Sequence, residues 1–191
     1  MIGTDILCPS DLIVEPGPEG WQLRLPDGTA YPCAIGRGGI AEKRGEGDGI
    51  TPVGRWPVRR VLYRPDRLDP PATALPVAAI APDDGWCDDP QDPANYNRPV
   101  KKPYAGSHED LWRDDRLYDL IVVLGFNDDP PVAGGGSAIF LHVARPGFEP
   151  TAGCVALAPE ALALVVRALE PESRVNMHAS TAPTSPRDRD S

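Results

Sequence analysis

The stretch from residue 138 to residue 157, A-I-F-L-H-V-A-R-P-G-F-E-P-T-A-G-C-V-A-L, constrains the fold most. Two short apolar segments, 138–144 and 154–157, flank a loop of residues that favour turns, and they predict two strands. Neighbouring strands lie about 5 Å apart. His142 in the first segment and Cys154 at the start of the second can therefore meet, although they are distant in sequence.

Length and composition predict one soluble domain built of many short elements. The chain has 191 residues, 41% of them hydrophobic, and 24 prolines with 19 glycines favour many short elements over a helical bundle. The net charge of −9 argues against a nucleic-acid partner, because binding phosphates requires a basic surface. No apolar run approaches the ~18 residues of a membrane span, so no membrane partner is expected.

The N-terminus has no basic segment of the kind that begins an export signal. We therefore expect a cytoplasmic location. A periplasmic or cell-envelope location is the alternative if a signal was removed.

The cysteines predict free thiols. Cys8, Cys33, Cys87 and Cys154 are scattered without a C-x-x-C pair, and a chain of this size needs no disulfide framework. The aspartate-rich region 82–103 matches no calcium-loop spacing, so no metal site is predicted.

Hydrophobic patterning predicts the remaining elements. Strands are expected at residues 12–14, 21–25, 31–35, 51–63, 75–80, 120–126 and 173–178, the last as an edge strand. A helix is predicted to begin at Ser107 as N-cap, with Asp110 completing a capping box. The clearest helix begins at Pro159, carries an apolar face at i, i+3, i+4 and i+7, and ends before Pro171. Residues 1–11 and the tail from 179 are predicted to be poorly ordered.

His142 and Cys154 suggest nucleophilic chemistry. A free cysteine titrates near ~8.5, and a neighbouring imidazolium lowers that to roughly 3.5–7.5. A thiolate so formed attacks an amide or ester carbonyl and gives a thioester, which a second nucleophile resolves. In T-A-G-C, the backbone N–H groups around Gly153 can stabilise the oxyanion, and Thr151 can support the loop or bind substrate. The alternative is that Cys154 is a small core residue and His142 is inert.

The motifs resemble the YkuD-type catalytic domain of the L,D-transpeptidase family. That family has a histidine ending an apolar strand, a loop, and then Ser/Thr-x-Gly-Cys, which here is His142 followed by T-A-G-C-V at 151–155. The segments G-D-G-I-T-P-V-G-R-W-P-V at 47–58, 117–131 and 136–142 are also similar to members of the family. The resemblance spans residues 30–178, preceded by a lead-in with the first strands at 1–29 and followed by a disordered tail at 179–191.

The resemblance implies a mainly β (α+β), sandwich-like fold with a flanking C-terminal helix and long proline- and glycine-rich loops. It also implies Cys154 as nucleophile, His142 as base, the amides of Gly153 and Cys154 as oxyanion donors, and no cofactor. The substrate of the family is the peptidoglycan stem peptide, in a tetrapeptide or muropeptide. The thiolate attacks the carbonyl at the L-centre of meso-diaminopimelate and expels the terminal D-alanine.

Two departures from the family pattern matter for substrate binding. Many members have a second histidine where this chain has Ala152, and an arginine where it has Ala156. Another cation is then needed for a substrate carboxylate, and Arg145, Arg44 and Arg98 are the candidates by charge and loop placement. For the group that orients His142, Asn127 and Ser137 are the candidates.

Three functions fit the sequence. The first is a cytoplasmic L,D-carboxypeptidase that uses water as acceptor and trims tetrapeptide fragments in cell-wall recycling. The second is a cross-linking L,D-transpeptidase, in which a second stem amine accepts the acyl group. The third is a catalytically silent domain that binds peptidoglycan peptides. The sequence leaves the oligomeric state undetermined.

Overall fold

The computed structural model describes residues 10–179, which form fourteen strands, a short 3₁₀ turn and one α-helix. The strands are β1 Leu12–Gly17, β2 Gly20–Arg24, β3 Ala30–Ala34, β4 Ile40–Ala41, β5 Thr51–Pro52, β6 Gly54–Tyr63, β7 Val77–Ala79, β8 Asp84–Cys87, β9 Pro99–Lys101, β10 His108–Asp110, β11 Leu120–Leu124, β12 Phe140–Val143, β13 Val155–Leu157 and β14 Arg174–Met177. The helix α1 spans Pro159–Ala168, and the 3₁₀ turn spans Pro146–Phe148. The mainly β fold with a C-terminal helix is therefore confirmed.

Nine strands form one sheet in the order β11-β12-β13-β3-β2-β1-β14-β6-β7. Strand β6 pairs with β14 over its first half and with β11 over its second half, so the sheet closes on itself. The single strand predicted at residues 51–63 is present as two strands, β5 and β6, with a break at Val53. Strands β8, β9 and β10 form a separate three-stranded sheet, and β4 pairs with β5.

The central strands β11, β12 and β13 bury both of their faces, because side chains alternate between the two sides of a strand. Leu141 and Val155 point into the main hydrophobic core. Phe140 and Cys154 point into a second cluster, which also contains Trp86 of β8. Because both faces are covered, these strands are apolar along their whole length. The same alternation assigns His142 to the face of Phe140 and Cys154.

The segment predicted as a helix start at Ser107 is a strand, so that prediction was wrong. His108 pairs with Cys87 and Asp110 with Gly85 across an antiparallel ladder. The Ser107 amide donates to the Asp89 side chain at 3.3 Å. Pairing with β8 outweighs the local capping signal, as tertiary contacts commonly do with short propensity patterns.

The last strand is internal to the sheet and is not an edge strand, contrary to expectation. β14 pairs with β1 in parallel and with β6 in antiparallel orientation. Hydrophobic periodicity at residues 173–178 predicts a strand but contains no information on its partners. The disorder predicted for residues 1–9 and 180–191 lies outside the described residues.

Helix α1 packs on the sheet through one apolar face, as its spacing predicts. Pro159 occupies the first turn, where the missing N–H costs nothing, and Glu160 complements the helix dipole. Ala161, Leu162, Val165 and Val166 are buried, and Leu162 is 0% exposed. Leu164, in contrast, is 48% exposed.

We expect Leu162→Ala to lower the free energy of unfolding by about 2–5 kcal/mol, because it leaves a cavity under the helix. Leu164→Ala is the matched control, and the exposed position should change stability by less than about 0.5 kcal/mol. Urea denaturation followed by circular dichroism measures both. Equal losses in the two variants would contradict the assigned packing face.

Candidate active site

Strands β12 and β13 bring His142 and Cys154 to one face of the sheet. The two strands run parallel, with Leu141 opposite Val155 and His142 opposite Ala156. Cys154 directly precedes β13, two positions before Ala156, and so shares its face. Strand geometry puts the Cα atoms of His142 and Cys154 roughly 8 Å apart. Both side chains line the same cavity of about 380 Å³.

The thiol of Cys154 is held by backbone groups of the neighbouring strand segment. Its Sγ donates to the Ala138 carbonyl at 3.2 Å and accepts from the Phe140 amide at 3.4 Å. Burial raises the pKa of the Cys154 thiol to about 12. The negative charge of Glu109 raises this pKa further, while the Phe140 amide and Lys43 lower it.

The imidazole of His142 is oriented by its own strand. Nδ1 lies 2.8 Å from the Val143 carbonyl oxygen. A carbonyl only accepts, so Nδ1 carries the proton and Nε2 keeps a lone pair. The ring of Tyr118 packs edge-on against the imidazole, with centroids 5.3 Å apart. Neither Asn127 nor Ser137 orients this ring, and a sequence cannot predict a backbone acceptor of this kind.

Burial keeps both groups neutral before substrate binds. Desolvation lowers the pKa of His142 to about 4, although the hydrogen bond to Val143 raises it. The sequence-based expectation of a thiolate stabilised by an imidazolium therefore does not describe the unliganded site. A neutral imidazole that lines the same cavity as a neutral thiol can act as a general base that removes the thiol proton during attack.

A glycine with positive φ shapes the turn before Cys154. Gly153 has φ of +149°, and a Cβ at this position would lie 2.9 Å from the Ile50 carbonyl oxygen. The Thr151 hydroxyl accepts from the Gly153 amide at 3.1 Å and donates to the Cys154 carbonyl at 2.7 Å. Thr151 therefore organises the loop, and the Gly153 amide, expected as an oxyanion donor, is already engaged.

The D-G-I-T-P segment at 48–52 holds this turn from the other side. Thr51 is fully buried, and its hydroxyl donates to the Gly153 carbonyl at 2.8 Å and accepts from the Gly36 amide at 2.8 Å. Asp48 forms an ion pair with Lys43 at 2.7 Å. The sequence indicated this motif only through the family resemblance, and its contacts explain why it accompanies the cysteine motif.

Of the cations predicted to bind a carboxylate, the structure brings one to the cavity. Arg145 lines the cavity and is exposed. Arg44 is exposed and does not line it. Arg98 donates to the Asp128 carbonyl at 2.7 Å and lines a second cavity of about 260 Å³. Arg37 also lines the main cavity, although it was not among the cations predicted to bind a carboxylate.

Asn127 and Ser137 have different surroundings. The Asn127 side chain donates to the Val132 and Gly136 carbonyls, so it closes the turn between β11 and β12. Ser137 lines the cavity, and its hydroxyl is buried without a hydrogen-bond partner.

Seven further charged or aromatic residues line the cavity and were not predicted as site residues. They are Lys43, Glu46, Asp88, Glu109, Arg113, Tyr118 and Glu149. Glu109 accepts from the Tyr118 hydroxyl at 2.5 Å, and Arg113 lies over the Tyr118 ring at 5.1 Å. Glu109 and Arg113 lie in and just after β10, where a helix was expected, so only the correct strand assignment would have placed them near Cys154.

A thiol and an imidazole that share a cavity on a β-rich scaffold are typical of cysteine-dependent acyl-transfer enzymes. The family model of the L,D-transpeptidase catalytic domain, YkuD, matches residues 23–177. The chain belongs to this family, and the resemblance noted from its motifs is confirmed.

A solved structure described as that of Bdellovibrio bacteriovorus Bd1075 is similar at 14% sequence identity, with a TM-score of 0.47. The match covers 98% of this chain and 54% of that chain, so this chain spans about half of its length. Among curated proteins, the comparison found no match. Within residues 10–179, the structure has no helix whose length and hydropathy would let it span a membrane. The same residues contain no group of three or more His, Cys, Asp or Glu side chains placed to hold a metal.

Gly153→Ala should displace Cys154, because the new Cβ meets the Ile50 carbonyl oxygen. A shift of about 1 Å at a reacting atom can lower a rate roughly 100-fold, and we expect turnover to fall by at least that factor. Gly20→Ala is the control, since Gly20 has a similar φ of +138° but nothing within 4 Å of the added Cβ. Steady-state kinetics measures the difference, and full activity of Gly153→Ala would refute the close approach.

The pKa values predict a pH profile for alkylation of Cys154. With a thiol pKa of about 12 and an imidazole pKa of about 4, the thiol stays protonated around neutral pH. The rate of iodoacetamide labelling, mapped to Cys154 by mass spectrometry, should then rise roughly tenfold per pH unit above neutrality. A rate plateau between about pH 5 and pH 8 would instead indicate a preformed ion pair, which His142→Ala would abolish.

Proposed function

We propose that this protein is an L,D-carboxypeptidase of peptidoglycan stem peptides. It cleaves the bond between the L-centre of meso-diaminopimelate and the terminal D-alanine of a tetrapeptide, with water as the acceptor. The observation that carries the proposal is the shared cavity of Cys154 and His142, in which a nucleophile and a base lie on one face of two adjacent strands. Family membership supplies the substrate class.

In the first half-reaction, Sγ of Cys154 attacks the carbonyl carbon while Nε2 of His142 takes the thiol proton. The Val143 carbonyl stabilises the resulting imidazolium, because it accepts from Nδ1–H. We assign the oxyanion to the amide of Cys154, since the Gly153 amide is engaged by Thr151. Collapse of the tetrahedral intermediate breaks the C–N bond, and His142 returns the proton to the departing D-alanine amine.

In the second half-reaction, water replaces D-alanine. Nε2 of His142 removes a proton from the water, whose oxygen attacks the thioester carbon. The C–S bond breaks and His142 returns the proton taken from the water to the Cys154 thiol. The tripeptide leaves as a carboxylic acid, which loses its proton to the solvent. No redox partner or metal enters this sequence of steps.

Cations at the cavity rim support recognition of the terminal carboxylate. Arg37 and Arg145 both line the cavity and are exposed, and neither forms an ion pair within residues 10–179. Ala156 faces His142 across the strands and lines the cavity. Many relatives have an arginine at this position, so we assign its role towards the carboxylate to Arg37 and Arg145.

The size of the cavity favours water as the acceptor. Its volume of about 380 Å³ is near the lower end of the roughly 300–1,000 Å³ of small-molecule sites. We infer that a site of this size accepts one stem peptide as the acyl donor. Transpeptidation remains the second candidate function, because an amine and water attack the same thioester. The cytoplasmic location expected from the sequence is part of the proposal.

The proposal predicts loss of one alanine from a purified disaccharide-tetrapeptide, followed by mass spectrometry. Cys154→Ala should abolish this product. Cys33→Ala is the matched control, because burial also raises the pKa of the Cys33 thiol to about 12, but Cys33 lies in the main core away from the cavity.

The other outcomes separate the alternatives. A cross-linked dimer in place of the tripeptide would identify a transpeptidase. No turnover of either kind, with a Cys154 that resists thiol reagents even in the presence of peptide, would identify a silent binding domain. Turnover that survives Cys154→Ala would mean that the nucleophile is assigned wrongly.

A further inference from the structure

A lysine side chain is enclosed beside the nucleophile. The Lys43 side chain is 4% exposed, and the residue lines the cavity that also contains Cys154 and His142. Its Nζ lies 3.6 Å from the point where a Cβ on Gly153 would be. Because Gly153 directly precedes Cys154 in the chain, the ammonium lies next to the peptide group that presents the nucleophile.

The stem of the same side chain contacts the segment that holds the thiol from the other side. A Cβ on Gly136 would overlap Cε of Lys43, so only glycine leaves room for the lysine there. Two residues later, the carbonyl of Ala138 accepts from the Cys154 thiol at 3.2 Å. Lys43 therefore contacts both of the segments that hold the sulfur.

The ammonium of Lys43 is held in place and retains a donor. Nζ donates to Asp48 Oδ1 at 2.7 Å and to the Ile50 carbonyl at 3.2 Å. An ammonium has three N–H donors, and within residues 10–179 only these two acceptors bind it. Desolvation raises the pKa of Asp48, but hydrogen bonds from Lys43 and from two backbone amides lower it to about 2. Asp48 is therefore charged at neutral pH and fixes the cation.

We propose that Lys43 is a catalytic residue whose ammonium stabilises the negative charge that forms when Cys154 attacks the carbonyl. This charge develops on the sulfur as His142 takes the thiol proton, and it then passes to the oxygen of the tetrahedral intermediate. The Cys154 amide supplies one hydrogen bond to that oxygen, and the remaining N–H of Lys43 supplies a second, charged one. Lys43 keeps its protons throughout. The inference rests on the proposed function and adds a residue to its chemistry.

The alternative donors are less suited to this role. The Gly153 amide donates to the Thr151 hydroxyl at 3.1 Å, so it is engaged before the substrate binds. Arg37 and Arg145 line the cavity but are exposed, and water weakens the interactions of an exposed charge. An enclosed ammonium acts in a lower effective dielectric and therefore stabilises a nearby negative charge more strongly.

The electrostatics at the sulfur agree with the assignment. Burial raises the pKa of the Cys154 thiol to about 12, and the charge of Glu109 raises it further. A backbone amide and the charge of Lys43 lower this pKa. The lysine thus already favours negative charge on the sulfur in the unliganded site.

Lys43→Met tests the proposal, because it removes the charge and keeps a long side chain. The kcat for the tetrapeptide should fall roughly 100- to 1,000-fold, the loss typical of one oxyanion donor. The KM should change little, since the charge acts in the transition state. Lys101→Met is the matched control, because Lys101 is 62% exposed and pairs with Asp83 outside the cavity. A higher KM at unchanged kcat would mean that Lys43 only binds substrate, and would overturn the proposal.

Two further measurements distinguish a chemical role from a structural one. Loss of the charge should slow iodoacetamide labelling of Cys154 several-fold at a fixed pH, whereas a loosened loop would expose the thiol and speed labelling. Lys43→Met combined with Asp48→Asn leaves no unpaired carboxylate, and its kcat should stay low. Recovery of kcat in this double variant would show that the lysine only neutralises Asp48. If urea denaturation shows that Lys43→Met is unfolded, the double variant carries the same comparison.

The outcomes also separate this inference from the proposed function. Cleavage by wild-type protein with an equal kcat for Lys43→Met would overturn the role of Lys43 and leave the proposed function standing. No cleavage by wild-type protein would overturn the proposed function. Labelling of Cys154 requires no peptide, so equal labelling rates in wild-type and Lys43→Met proteins would then overturn the effect of the lysine on the sulfur as well.

Discussion

The parallel pairing of β12 with β13 is the constraint on which the site depends. It sets His142 opposite Ala156, and the two-residue period of a strand then brings Cys154 to the same face. A shift of this pairing by one residue would turn either group into the main core, since alternate side chains face opposite sides. Strand β13 is itself fixed by β3, which pairs with it through Ala34 and Cys33. The reactive geometry thus depends on the register of the closed sheet.

Further hydrogen bonds fix the loop that precedes Cys154. Thr51 joins the carbonyl of Gly153 to the amide of Gly36, two groups distant in sequence. A buried hydroxyl that both donates and accepts leaves no polar group of this junction unpaired. The segment at 48–52 also holds Lys43, through the carboxylate of Asp48 and the carbonyl of Ile50. The same segment therefore positions both Lys43 and the turn before Cys154.

Much of this arrangement follows from the sequence, but only where local pattern determines it. Apolar runs predict β11, β12 and α1, because the burial of one or both faces of an element sets the spacing of its apolar residues in the sequence. The strand β10 was missed since Ser107 and Asp110 resemble a capping box, and the pairing with Cys87 and Gly85 that decides the matter is not local.

The site was predictable to a similar extent. His142 and Cys154 were predicted from their motif, and both line the same cavity. The Val143 carbonyl that orients the imidazole has no sequence signal, since every residue has a carbonyl. Glu109 and Tyr118 also had no sequence signal, because they come to line the same cavity as Cys154 only when the chain has folded.

The burial of Cys154 has a consequence for survival of the protein under oxidative conditions. Peroxides react with thiolates, and protonated thiols in apolar surroundings are oxidised slowly. The Cys154 sulfur donates its proton to the Ala138 carbonyl, and burial raises the pKa of the thiol to about 12, which favours the protonated form around neutral pH. We therefore expect sulfenic acid to form slowly at this sulfur in the resting protein.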